Sequence, residues 1–211
     1  VVHEVDVDNA RERRLSTRLV QLGASPRLLT PDAGGRIPLA IDGIVSGLFT
    51  GDDVAPDRSA LDLALAATGT AGVGEIRIID NDGFGGFPQL DEQLTVTGLL
   101  PSSLALLPGE IGQSDWVACL SSDGTVTLWD PAVGSAGSGG QILTAMIPVP
   151  SALDDDSLIQ IVDVDQDGLL DMVVLMSLAS TQPGPGDSLV VMMRGKPVLA
   201  GEFPFEIPTK V

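Results

Sequence analysis

The chain has 211 residues, enough to bury a sizeable core, and carries a formal net charge of −18. So acidic a balance argues against nucleic acid, whose phosphates demand a basic surface, and against adsorption to anionic membranes. With 25 Gly and 15 Pro the composition suits short strands and many turns rather than helices, and no apolar run approaches the roughly 20 residues of a membrane-inserted helix. The chain opens on Val1 and is expected to be a mature or shortened product.

An internal repeat is visible at the start. Val5-Asp6-Val7-Asp8-Asn9 matches Val162-Asp163-Val164-Asp165-Gln166 almost residue for residue. Residues 15–22, 27–29 and 36–41 read as three further short strands, so that 1–42 makes a first unit; Arg11, Arg13, Arg14 and Arg18 read as its solvated loop and strand face. A second unit spans 43–98. In it Leu61-Asp62-Leu63-Ala64-Leu65 matches Leu170-Asp171-Met172-Val173-Val174, and residues 75–80 alternate like a half-exposed strand. Asn81-Asp82-Gly83 is a hairpin signal, and 93–97 supplies a last strand.

The third unit, 99–150, places Asp115 where Asp62 and Asp171 stand. Ser122-Asp123-Gly124 turns the chain into 125–130, and 131–140 is a Gly/Ser/Ala loop. The single Trp129-Asp130 pair has no Gly-His partner before it and is read as coincidence rather than as a WD40 signature. The fourth unit, 151–211, expects its third strand over 188–194 and its last over 197–207, where Pro204 suits an edge.

That fourth unit holds the most specific stretch of the chain, Asp163-Val164-Asp165-Gln166-Asp167-Gly168-Leu169-Leu170-Asp171 between two apolar strands. Alternate residues of a tightly turning loop point the same way, so Asp163, Asp165 and Asp167 converge on one cation. Gly168 permits the sharp turn, the Leu169 carbonyl adds an oxygen, and Asp171 closes the shell. Oxygen-only ligation suits a hard cation, Ca²⁺ first. An EF-hand shares the opening Asp-x-Asp-x-Asp-Gly but requires an acidic twelfth residue and flanking helices. Here the twelfth residue is Val174, and the flanks 158–162 and 172–175 are β-branched and apolar, as buried strands are. The loop therefore joins two strands.

Asp-x-Asp-x-Asp-Gly-x-x-Asp between two short strands resembles the calcium loop of FG-GAP/VCBS repeats, the blades of integrin-α-like β-propellers. The resemblance implies an all-β fold, a β-propeller of four-stranded antiparallel blades with about four blades present, whose first hairpins carry the ions. Gly47-Leu48-Phe49-Thr50-Gly51-Asp52 is similar to the family's opening, with Leu48 replacing the first ligand. Asp52, Asp53, Asp57 and Asp62 form a weaker second site. In the first unit Ala10 and Arg14 stand at ligand positions, and in the third no ligand but Asp115 remains. Rings of this family hold six to eight blades, so the resemblance implies further blades from the parent chain or another chain.

Catalysis finds little footing. The one histidine, His3, lies at a chain end, and with the one cysteine, Cys119, it makes no zinc set or nucleophile–base pair. Cys119, inside an apolar strand, is expected to be buried and inert. The expectation is a non-enzymatic, calcium-binding propeller module of a secreted or cell-surface protein, serving interaction, adhesion or structure through a protein or glycan ligand. One alternative is a carbohydrate-binding propeller, which would expose Trp116 or Trp129 beside a pocket. The other is an accessory propeller attached to an enzyme outside these residues.

Overall fold

Apolar, β-branched segments punctuated by Gly, Pro and Asp give strands throughout, and among the described residues the computed structural model contains no helix. The structure describes residues 40–49, 61–68, 74–79, 94–99, 101–109, 113–132, 140–148, 153, 157–177, 188–197 and 202–208, together with the strands at 2–6, 14–18, 20–21 and 27–28. Near the N-terminus β1 (Val2–Asp6) pairs with β2 (Arg14–Arg18), and β3 (Val20–Gln21) with β4 (Arg27–Leu28), as two separate antiparallel pairs.

Three larger sheets follow, each an antiparallel meander in chain order. The first contains β5 (Ala40–Gly47), β6 (Asp62–Thr68), β7 (Gly74–Ile79) and β8 (Leu94–Leu99). The second contains β9 (Pro101–Leu107), β10 (Trp116–Ser121), β11 (Thr125–Asp130) and β12 (Gln141–Met146). The third has three strands, β13 (Leu158–Val162), β14 (Asp171–Ser177) and β15 (Ser188–Met193). The last strand expected over 197–207 shortens, among the described residues, to one bridge between Gly195 and Phe205. It is flanked by the bonds Lys196 N–H to Pro204 O and Glu206 N–H to Arg194 O. Pro204 has no N–H to donate, which limits any ladder there.

The middle sheet lies between the other two, and period-two alternation explains how it serves both. Val117, Cys119 and Trp129 face β5–β8 and pack with Phe49, Ala64, Ile76 and Ile78. Ala118, Leu120, Val126 and Leu128 face β13–β15 and pack with Ile159, Met172, Val174, Met176 and Met193. Each of the Val, Leu, Ile, Phe and Met side chains among them, fully buried, contributes about 1.5–3 kcal/mol. The first strands of successive sheets are neighbours, β9 lying against both β5 and β13. The opposite face of β13–β15 is open, with Leu158 and Val190 well exposed on it.

One strand departs from its sequence pattern. Residues 75–80 alternate as if half-exposed, yet β7 is buried at every position but Arg77, which is intermediate. Glu75 and Arg77 share a face and neutralise each other, Arg77 Nε donating to Glu75 Oε1 at 2.8 Å. The polar side of the alternation is thereby drawn partly out of water. The expected 122–124 hairpin does join β10 and β11. Gly124 adopts φ +84°, and Asp123 Oδ1 accepts the Thr125 N–H at 2.9 Å.

Candidate metal centre

The register of the third sheet delivers the acidic loop. β13 and β14 pair out to Val162 and Asp171, so residues 163–170 close a hairpin between two strands. The backbone turns back through left-handed positions at Gln166 (φ 61°) and Gly168 (φ 88°). Gly168 takes that conformation without cost; Gln166, with a Cβ, does not.

Within this turn one oxygen from each of Asp163, Asp165 and Asp171 lies within 4.8 Å of the others. Ligands 2.3–2.6 Å from a calcium ion stand at most about 5 Å apart, so one such ion fits the span. Asp171 is the anchor, 1% exposed at the head of β14. Its Oδ1 accepts the Gly195 N–H at 2.9 Å and its Oδ2 the Val164 N–H at 3.0 Å. These bonds, the Gly195 one foremost, hold its carboxyl below the usual carboxylate range. Asp163 Oδ2 accepts the Gly168 N–H at 3.1 Å, while its Oδ1 is shielded from solvent and has no donor. A shielded carboxylate oxygen without a donor is costly unless a cation meets it, and Asp163 is one of the three gathered carboxylates. Arg194 Nε stands 3.9 Å from Asp165 Oδ2.

Asp167, expected as a ligand, uses its Oδ1 to accept the Leu169 N–H at 2.8 Å, and the group gathered within 4.8 Å is formed by the other three carboxylates. Leu169 follows it in the turn. Of the weaker site, Asp52, Asp53 and Asp57 fall outside the described residues. Asp62 is fully buried, its Oδ2 accepting the Phe49 N–H at 3.3 Å.

Asp62, Asp115 and Asp171 share a geometry that their sequence matching only hinted at. Each stands at or just before the second strand of its sheet. Each accepts the N–H of the residue two past the end of the first strand: Phe49 after Gly47, Gly109 after Leu107, and Val164 after Val162. By that equivalence Leu48 and Pro108 occupy the place of Asp163, and neither can ligate through its side chain. Asp115 does more than its neighbours. Its Oδ2 accepts the Leu48 N–H at 2.8 Å, and its own N–H reaches Leu48 O at 2.7 Å, tying the second sheet to the first.

Two site residues were not anticipated. Gly195 donates to Asp171, and a Cβ there would run into the Leu170 carbonyl oxygen. Arg194, beside it, supplies positive charge at the loop. The only signal for Gly195 was its place just past an apolar strand; nothing marked Arg194. Elsewhere, Cys119 is fully buried, and burial pushes its thiol up to about 12, so it stays protonated and unreactive. Trp129 is fully buried, and Trp116 packs partly buried against the core.

Compared with models of known protein families and with characterised proteins, the chain gives no match.

Proposed function

We propose that this protein is a calcium-stabilised, non-enzymatic β-propeller module of the FG-GAP/VCBS kind, acting outside the cell in interaction or structural support. The observation that carries the calcium part is Asp163 Oδ1, a solvent-shielded carboxylate oxygen without a donor inside a group of three carboxylates. The donor set is oxygen alone, which favours a hard cation over zinc or copper. The propeller part draws support from successive antiparallel meanders whose first strands lie side by side, and from the backbone bond that recurs at Asp62, Asp115 and Asp171. The open aliphatic face of β13–β15 is where a further blade, from the parent chain or another, would pack. No observation favours the sugar-binding alternative, since Trp129 is sealed in the core.

In this reading the ion fastens the β13–β14 turn and performs no chemistry. Binding to the folded form alone stabilises it by about 2.7 kcal/mol when calcium stands at 100 times Kd. For 211 residues the unfolding entropy is about 0.44 kcal/mol/K, so the melting temperature should rise about 6 °C from chelator to saturating calcium. Asp165→Ala should abolish most of that rise. Identical melting curves in chelator and in calcium would sink the proposal.

A further inference from the structure

The feature left unexplained by a calcium loop is a fixed positive charge at its mouth. Arg194 follows β15 directly, and its backbone is held on both sides. Glu206 N–H donates to the Arg194 carbonyl at 2.8 Å, and the next N–H, from Gly195, donates to Asp171 at 2.9 Å. The residue is thus tethered to one of the three gathered carboxylates through its neighbour, while its guanidinium reaches a second, Asp165, at 3.9 Å. The pair is open to solvent, with side-chain exposures of 62% and 33%, so as a mere surface ion pair it would contribute little. Its place is what gives it meaning. Three carboxylates within 4.8 Å repel one another, and a shielded oxygen of Asp163 has no donor. A guanidinium cannot shed its charge at any ordinary pH.

We propose that Arg194 is the built-in counter-ion of the Asp163/Asp165/Asp171 group, supporting the turn when no cation is bound and opposing the cation when one binds. The inference rests on the calcium reading of that group. Its consequence is that the protein's own charge sets the calcium affinity below what the carboxylates alone would give. A unit charge about 6 Å from a divalent ion in a water-like dielectric changes its affinity about tenfold, and salt trims that to about three- to fivefold.

Calorimetric titration of the whole chain with calcium, and melting curves in chelator and in saturating calcium, test this on wild type, Arg194→Gln and Arg194→Lys. Arg194→Gln should bind calcium about three- to fivefold more tightly, melt lower than wild type in chelator, and recover or exceed wild type in calcium. Arg194→Lys should keep an affinity near wild type. A purely structural Arg194 would lower both melting curves together, and that result, or an unchanged or weakened affinity in Arg194→Gln, overturns the proposal. If wild type shows no response to calcium, the reading of the site itself has failed, and the outcome is recognisably different.

Discussion

Asp115 separates two accounts of the acidic residues that head the second strands. One account makes it the trace of a lost calcium loop. The other makes it a fastener in its own right, joining Leu48 of the first sheet and Gly109 of its own turn at 2.8 and 3.0 Å. Asp115→Ala removes both acceptors and leaves the backbone bond to Leu48 O in place. A hydrogen bond to a charged acceptor contributes about 1.5–3 kcal/mol, and since the side chain is only partly buried the low end applies, giving about 3 kcal/mol for the two. At about 0.44 kcal/mol/K for 211 residues this lowers the melting temperature by about 7 °C. Asp115→Asn, with one oxygen left to accept and an amide facing the other N–H, should lose at least half as much. Differential scanning calorimetry with and without chelator decides the matter, because a protein-only fastener loses the same amount in both. A drop of under about 1 °C, or one that appears only in calcium, would refute the reasoning.

Two further predictions concern the anchor of the candidate site. Gly195→Ala places a methyl against the Leu170 carbonyl and 3.0 Å from Leu169 Cβ, an overpacking that should cost about 1–3 kcal/mol in denaturant melts; an unchanged midpoint would show that the turn yields freely. The depressed carboxyl of Asp171 contributes stability that is fully present above the unfolded aspartate value of about 3.9 and is lost as pH falls through the lower folded value. The stability gap between wild type and Asp171→Asn should therefore be constant near neutrality and shrink below about pH 4; a gap that stays constant down to pH 2.5 would exclude this role.

What could be read before the fold was known follows from how local each signal is. The 163–171 turn was legible because its strands, glycine and carboxylates are contiguous, and the 122–124 hairpin for the same reason. The matching of Asp62, Asp115 and Asp171 was legible as a spacing, but not as a bond, since nothing local says which N–H a buried carboxylate will meet. Distance along the chain hid the rest. Leu48 lies 67 residues from Asp115 and Gly195 lies 24 from Asp171, separations at which a sequence offers no pairing rule. The Asp167 to Leu169 bond was not legible either, because alternation describes an extended strand, whereas this turn passes through left-handed positions at Gln166 and Gly168. Arg77 and Glu75 misled, since polar alternation implies water only when the polar groups have no partner on their own face.

The geometry shared by Asp62, Asp115 and Asp171 also bears on why, among the described residues, the 163–171 turn is the one that would need an ion. A carboxylate at the head of a buried strand requires donors, and in all three sheets the backbone N–H two residues past the preceding strand supplies one. At Asp115 a second donor arrives from Leu48 and at Asp171 from Gly195, so both oxygens of each are satisfied by protein alone. Such a turn is closed without metal. The 163–171 turn then adds Asp163 and Asp165 beside an anchor whose donors are already in use, and for Asp163 Oδ1 no N–H remains. In our reading the cation answers that surplus of carboxylate rather than any demand of the hairpin itself. The turns beside β5 and β9 put Leu48 and Pro108 where Asp163 stands, so they carry no such surplus at that position while keeping the same backbone bond.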